Sequence, residues 1–202
     1  MATSAGTSDS VRERVLAAAC DLFTTRGINT TGVDLIAAAA GVSKRSLYQR
    51  FASKDDLIAA YLPVATDKFL DLVLPPAEAC ASPADAILEV FAASQRAAAE
   101  PGFRGCPVLN ASAEICDPAH PVRAAAVAYK DQLHAYFATY AEAAGAENPA
   151  LLAEQLVMLF DGAMTHTTVR GVPFPDSVHT TARMLIGAQG VRVLDRQVVA
   201  AR

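Results

Sequence analysis

The sequence predicts an all-α protein of about nine helices, and three observations lead to this prediction. Apolar residues recur at three- and four-residue spacing through most of the 202 residues, which is the period of a helix with one buried face. No segment alternates with the two-residue period of a strand. A residue that can cap a helix repeatedly precedes a proline, which favours the first helical position. These pairs are Ser82-Pro83, Cys106-Pro107, His120-Pro121 and Asn148-Pro149.

The chain is expected to open with a disordered arm followed by the first helix. Ser10 and Glu13 have the spacing of a capping box, which predicts a helix start, and Gly27 can end that helix. Residues 1–10 are small and polar and lack the basic start and apolar core of a secretory signal. No stretch approaches the ~18 consecutive apolar residues of a membrane span. We therefore expect a cytoplasmic protein with no membrane partner.

Residues 32–51 predict two short helices joined by a tight turn. Thr31 and Asp34 resemble a capping box at the start of the first helix, and Gly41 can adopt the left-handed conformation that ends it. Ser43 then caps the second helix. The outer face of this second helix carries cationic, amide, hydroxyl and phenol groups, which can reach phosphates and base edges in a major groove. These residues are Lys44, Arg45, Ser46, Tyr48, Gln49 and Arg50.

The same stretch is similar to a known protein family. Residues 30–43 follow the pattern Thr-Thr-Gly-Val-x-x-Ile-Ala-x-x-Ala-Gly-Val-Ser, and residues 47–57 follow Leu-Tyr-x-x-Phe-x-Ser-Lys-x-x-Leu. Together they resemble the tetracycline-repressor (TetR) family of bacterial regulators. Arg45 stands where the family usually has a small residue, and Arg50 stands where it often has His or Tyr. These two departures leave the resemblance to the family intact, but they concern residues that would read the operator, so the operator sequence does not follow from the resemblance.

The resemblance implies two domains with different roles. Residues 9–69 are expected to form a helix-turn-helix DNA-binding domain with its motif at 32–51, and residues 70–202 a helical regulatory and dimerisation domain. The implied partners are double-stranded operator DNA, a small-molecule effector and a second copy of the chain, with no cofactor. The residues expected to contact DNA are Thr31, Ser43, Lys44, Arg45, Ser46, Tyr48, Gln49, Arg50 and Lys54.

The distribution of charge agrees with DNA binding at one end of the chain. The net charge is −4, but residues 10–62 carry seven Lys and Arg against five Asp and Glu, whereas residues 63–202 carry ten against fifteen. The chain is therefore positive where DNA would lie. The acidic remainder limits nonspecific binding to nucleic acid.

The remaining segments predict six helices. The fourth helix of the chain begins after a cap at Ser53 and contains Pro63, whose missing N–H and ring predict a kink near Ala59. The cap–proline pairs, terminating glycines and an apolar stripe define the others. These lie at 83–99, 107–115, 121–144, 149–169 and 177–194.

A small-molecule site is expected among these helices. Such a site is mostly apolar with a few converging polar groups, so aromatic, methionine, cysteine and amide side chains are the candidates. Each of them, taken alone, is also compatible with plain core packing. The candidates are Phe69, Phe91, Phe103, Cys106, Asn110, Tyr129, Phe137, Met158 and Met164.

Cys106 has a second interpretation. As the cap before Pro107 its sulfur would face the positive end of a helix, which favours the thiolate. We therefore expect it to be the most reactive of the four cysteines, and either to sense an electrophile or oxidant or to line the pocket. A buried, unreactive cap is the alternative. The cysteine spacing matches no metal motif, so no metal site is expected and the thiols are expected to be reduced.

The last two long helices predict a dimer interface, because they carry more apolar surface than one monomer core requires. Glycines at 162, 187 and 190 would permit close helix approach. Ordinary core packing is the alternative. The interface candidates are Leu152, Leu156, Phe160, Ala182, Leu185 and Ile186.

Catalytic motifs do not support an enzyme. The chain has no Gly-rich phosphate loop, no GxSxG elbow and no HExxH, and the carboxylates of Glu114 and Asp117 are interpreted as surface groups. We predict a homodimeric DNA-binding regulator, a repressor released from a palindromic operator by a small effector. The alternative is an all-α ligand carrier or enzyme whose N-terminal helices are only structural. The basic face at residues 44–50 favours the regulator.

Overall fold

The computed structural model describes residues 4–193, and within that range the chain forms nine α-helices and one 3₁₀ turn and no strand. The predicted all-α class is thereby confirmed. The last helix ends at Ala188 rather than at the expected residue 194, which itself lies outside the described residues. The helices are α1 (Ser4–Arg26), α2 (Val33–Ala39), α3 (Lys44–Tyr48), α4 (Lys54–Val73), α5 (Pro83–Ala99), α6 (Pro107–Glu114), α7 (Val122–Ala143), α8 (Pro149–Arg170) and α9 (Asp176–Ala188).

The ends of the later helices follow the local sequence closely. The side chains of Ser82 and Asn148 each accept a hydrogen bond from the backbone N–H three residues later, both at 3.1 Å. His120 makes a similar contact at the start of α7, where its Nδ1 accepts from the N–H of Val122, two residues later, at 3.1 Å. Gly171 ends α8 in the left-handed conformation with φ 65°. These contacts satisfy N–H groups that a helix start leaves without intrahelical partners.

Two early helix starts differ from the prediction. Helix α1 begins at Ser4 rather than Ser10. Residues 4–9 contain no proline and several side chains able to cap, so the pattern at Ser10 did not decide where the helix begins. The N-cap of α2 is Gly32, with no side-chain capping bond. The hydroxyl of Thr31 instead donates to the carbonyl of Gly27 at 2.7 Å.

The chain divides into two compact units. The N-terminal unit consists of residues 1–69 and 106–129, and the C-terminal unit of 70–105 and 130–202. Helix α6 and the start of α7 therefore belong to the N-terminal unit, together with α1, α2, α3 and most of α4.

Each unit has its own apolar core. In the N-terminal unit Phe23 and Tyr61 meet edge to face with ring centroids 5.2 Å apart. In the C-terminal unit Phe91 stacks on Phe137 at 5.9 Å and meets Phe160 edge to face at 6.4 Å. All three of these phenylalanines are fully buried. Such aromatic pairs stabilise a core beyond the area they remove from water.

Candidate nucleic-acid interface

The turn between α2 and α3 fixes how α3 is presented. Gly41 has φ 64°, a conformation that costs a residue with a Cβ about 1–2 kcal/mol. The N–H of Val42 donates to the carbonyl of Ala37 at 3.0 Å and closes the turn. Ile36 on α2 and Leu47 on α3 are both fully buried. The inner face of α3 is therefore held against α2, and the opposite face is directed to solvent.

The exposed face of α3 carries the side chains that the sequence placed there. Ser43 is its N-cap and accepts from the N–H of Ser46 at 3.1 Å. Ser46 is half-buried, and Tyr48 is 42% exposed. The other members of the face, which are exposed as well, are Lys44, Arg45, Gln49 and Arg50. This set offers cations, an amide and a phenol on α3 and in the two residues after it, on the sides that the buried Leu47 leaves exposed.

Lys44 is engaged by a carboxylate on α2. Its Nζ lies 2.9 Å from Oδ1 of Asp34, and both side chains are largely exposed. The hydrogen bond to Asp34, together with its charge, raises the pKa of Lys44. A phosphate that binds Lys44 would have to compete with Asp34.

Thr31 and Lys54, both expected to contact DNA, are used inside the unit. Thr31 is 0% exposed, so the expected DNA contact is wrong for this structure because the side chain points into the core. Nζ of Lys54 donates to the carbonyl of Ile28 at 2.6 Å and lies 6.0 Å from the ring centroid of Phe23. The ammonium therefore ties the start of α4 to the segment between α1 and α2, a role with no local sequence signal.

Two further contacts join α6 and α7 to the helix-turn-helix region, and neither was predicted. Glu114 was interpreted as a surface group, but its Oε2 accepts from the N–H of Asn29 at 2.7 Å. Nδ2 of Asn29 donates in return to the backbone carbonyl of Glu114 at 3.2 Å. Nε2 of His120 lies 3.6 Å from Oδ1 of Asp55, at the start of α4. The partners are far apart in sequence, which is why spacing gave no indication of them.

The candidate ligand residues are distributed over both units. Phe69 and Tyr129 lie in the N-terminal unit with ring centroids 6.4 Å apart, and Cys106 and Asn110 on the α6 segment belong to the same unit. Phe103 lines a cavity of about 330 Å³ in the C-terminal unit. The other candidates in that unit are Phe91, Phe137 and Met164, which are fully buried, and Met158.

Met158 does not lie with the buried candidates. It is 62% exposed on α8, so a pocket inside the chain could not include it. Its exposure places it on the outer surface of the helix, where a partner chain could cover it.

The cysteines differ in accessibility. All four lie among the described residues and none forms a disulfide. Cys106 is the N-cap of α6 as predicted, but it is 1% exposed and makes no capping hydrogen bond with its side chain. Cys116 is the exposed one, whereas burial raises the pKa of the half-buried Cys20 thiol, partly offset by Lys68. Reaction needs access as well as thiolate, so the structure argues against Cys106 as the most reactive thiol.

The predicted dimer interface requires a correction. Five of the six candidates are completely buried within a single chain and form its core, so a second copy could not contact them. They are Leu152, Leu156, Phe160, Ala182 and Ile186. Periodicity identified the apolar face of each helix but could not tell whether that face packs inside the chain. The large apolar side chains that are exposed on the same two helices are Leu151, Met158, Val169 and Met184.

Comparison with known proteins identifies the pair formed by α2 and α3. The family model for bacterial regulatory proteins of the tetR family matches residues 15–61. A TetR transcriptional regulator of known structure from Streptomyces avermitilis is 40% identical, with a TM-score of 0.82 over 90% of this chain and 99% of that chain. The chain belongs to the TetR family. It is therefore a DNA-binding transcriptional regulator and not an enzyme, and α2 and α3 form its helix-turn-helix.

Two other relatives agree with this assignment. A TetR-family transcriptional regulator from Streptomyces coelicolor is 32% identical, with a TM-score of 0.75 over 89% of this chain and 94% of that chain. The HTH-type transcriptional activator FasR of Mycolicibacterium smegmatis is 44% identical over 62 residues, which are 31% of this chain and 28% of FasR. In that match the present chain covers less than a third of the length of FasR.

Membership of this family removes the alternative of a carrier or enzyme with purely structural N-terminal helices. Among residues 4–193, no helix is both long enough and apolar enough to cross a bilayer.

Proposed function

We propose that this TetR-family regulator is a homodimeric repressor that binds a two-fold symmetric operator and is released by a small-molecule effector. The observation that carries the DNA-binding part is the exposed face of α3, because Leu47 anchors the helix while the polar and cationic side chains stay accessible. A dimer with two such helices about 34–36 Å apart would read two half-sites one helical turn apart.

Base recognition is assigned to Arg45 on α3 and to Arg50, which lies two residues after the end of α3. Arg45 and Arg50 are both exposed, and an arginine can donate two hydrogen bonds to one guanine, which contributes about 1–3 kcal/mol of discrimination. Tyr48, Ser43 and Gln49 are suited to phosphates or to further base edges.

The dimer is assigned to the exposed apolar stripe of α8 together with α9. Leu151, Met158 and Val169 are 41%, 62% and 79% exposed. Their spacing of seven and eleven residues places them on one face of the helix. Met184 on α9 adds 69% exposed apolar surface in the same unit. Exposed apolar side chains that follow one helical stripe favour burial by a second protein surface.

Activation is the second candidate for the direction of regulation. FasR, which resembles the chain over 62 residues, is a transcriptional activator. Transcription in vitro from a promoter that carries the selected operator separates the two: addition of the protein lowers transcript for a repressor and raises it for an activator.

The test of DNA binding uses fragments selected from the source genome and measured by fluorescence anisotropy. Arg45→Ala is expected to weaken specific binding about 5- to 150-fold, from loss of about 1–3 kcal/mol. The matched control is Arg170→Ala, at an exposed arginine of the C-terminal unit, which is expected to leave affinity unchanged. The affinity of each protein is measured for the selected duplex and for a scrambled one. If Arg45→Ala kept the same preference for the selected duplex as the unmodified protein, the role of Arg45 would be contradicted.

A further inference from the structure

A cavity of about 330 Å³ lies in the C-terminal unit where two helices end. Its lining comes from the last turn of α5, the last turn of α8 and the segments that follow each of them. This volume is at the lower end of the range for small-molecule sites, about 300–1,000 Å³. The cavity therefore suits a small ligand.

A buried hydroxyl among the lining residues points to a ligand. Thr167 is 5% exposed, and its Oγ1 is buried without a hydrogen-bond partner among the described residues. The adjacent Thr168, in contrast, donates to the carbonyl of Met164 at 2.9 Å, as helical threonines usually do. A buried polar group without a partner is unfavourable. A ligand in the cavity could supply the partner that Thr167 lacks.

The groups that line the cavity, with the two helix ends beside it, favour a cation; Arg104 and Arg170, which adjoin the lining segments in the chain, are not among the lining residues. The C-terminal end of a helix carries partial negative charge, and both α5 and α8 end here. Glu100, the C-cap of α5, adds a carboxylate to the lining, and Phe103 adds an aromatic ring whose face attracts cations. The described lining residues include no lysine, arginine or histidine. An anion would meet repulsion from the same groups.

We propose that this cavity binds a small organic ammonium ion, whose charged group donates a hydrogen bond to Oγ1 of Thr167 and is directed towards Glu100. The inference rests on the proposed function, because it names the chemical class of the effector.

The test is calorimetric titration of the full-length protein without DNA. The probes are phenethylammonium, the neutral 2-phenylethanol and the anionic phenylacetate, which are similar in size. Phenethylammonium is expected to bind most tightly. Glu100→Gln is expected to weaken binding of the cation about two- to fivefold, because the carboxylate is exposed, and to leave 2-phenylethanol unchanged. Thr167→Val keeps the side-chain shape and is expected to weaken phenethylammonium about threefold to tenfold.

Matched controls make the same changes away from the cavity. Thr168→Val and Glu89→Gln lie outside the lining and are expected to bind phenethylammonium like the unmodified protein. Ala99→Trp is designed to fill the cavity and is expected to abolish binding, and thermal unfolding of each variant checks that it folds. Tighter binding of phenylacetate than of phenethylammonium would overturn the proposal, and so would the absence of saturable phenethylammonium binding. It would also be overturned if the folded Glu100→Gln and Ala99→Trp variants both bound phenethylammonium as tightly as the unmodified protein.

Operator binding is measured separately so that the two proposals can fail independently. Phenethylammonium is expected to lower the affinity of the unmodified protein for its selected operator, and Ala99→Trp is expected to remove this response while still binding the operator. Cation binding that leaves operator affinity unchanged would overturn the assignment of the cavity as the effector site. Failure of the unmodified protein to bind any selected duplex would instead contradict the proposed function.

Discussion

Replacing Lys54 with alanine separates a structural role from a DNA contact. The ammonium is half-buried and donates to the carbonyl of Ile28 at 2.6 Å. A hydrogen bond to a charged group contributes about 1.5–3 kcal/mol, and partial exposure reduces this to about 1–2 kcal/mol. For a chain of this size, that corresponds to a fall of about 2–8 °C in the thermal midpoint.

Lys44→Ala is the matched control for this substitution. Lys44 is exposed and paired with Asp34 on the surface, and such pairs contribute little to stability. Removal of a cation that contacts a phosphate flattens the dependence of log affinity on log salt by roughly one unit. We therefore expect Lys44→Ala to change the salt slope with little change in thermal midpoint. Lys54→Ala is expected to show the reverse pattern.

The two measurements are differential scanning calorimetry and anisotropy titrations at several salt concentrations. If Lys54→Ala kept the unmodified thermal midpoint and flattened the salt slope by one unit, its ammonium would bind phosphate and the structural role would be refuted. The titrations with Lys54→Ala are made well below its midpoint, so that loss of folded protein does not imitate weaker binding.

Three further predictions follow from particular contacts and exposures. Gly41→Ala is expected to lower the free energy of unfolding by about 1–2 kcal/mol, measured by urea unfolding, and to weaken operator binding, measured by anisotropy. An unchanged free energy of unfolding and an unchanged operator affinity would contradict the importance of the turn. Met158→Glu is expected to yield a folded monomer, whereas Leu156→Glu is expected to unfold because Leu156 is fully buried. Sedimentation measures the oligomeric state and circular dichroism the folding of each variant. A Met158→Glu protein that remained a dimer would show that the interface lies elsewhere. Limiting iodoacetamide near neutral pH is expected to label Cys116 before Cys106, read by peptide mass, and the reverse order would restore Cys106 as the reactive thiol.

The sequence alone was sufficient for the helices whose ends are defined by neighbouring residues. The starts of α5 and α8 were predicted from Ser82-Pro83 and Asn148-Pro149 and agree with the structure. The exposed face of α3 was predicted for the same reason. In a short helix that buries Leu47, the side chains at the neighbouring positions point away from the core and towards solvent. These features depend on backbone geometry within a few residues, which a local pattern records.

Tertiary structure decided which apolar or polar faces became core. Leu156 and Met158 are both apolar residues of α8, yet one is 0% and the other 62% exposed. Periodicity finds a face of a helix but does not say which helix packs against it. The pairing of Asn29 with Glu114 spans 85 residues, and no local pattern selects one carboxylate among many at that separation. The sequence therefore determined the family, most of the helices and the exposed polar face of α3. The buried position of Thr31, the hydrogen bond of Lys54 inside its unit and the exposed face of α8 were settled only by folding, because burial depends on contacts between distant segments.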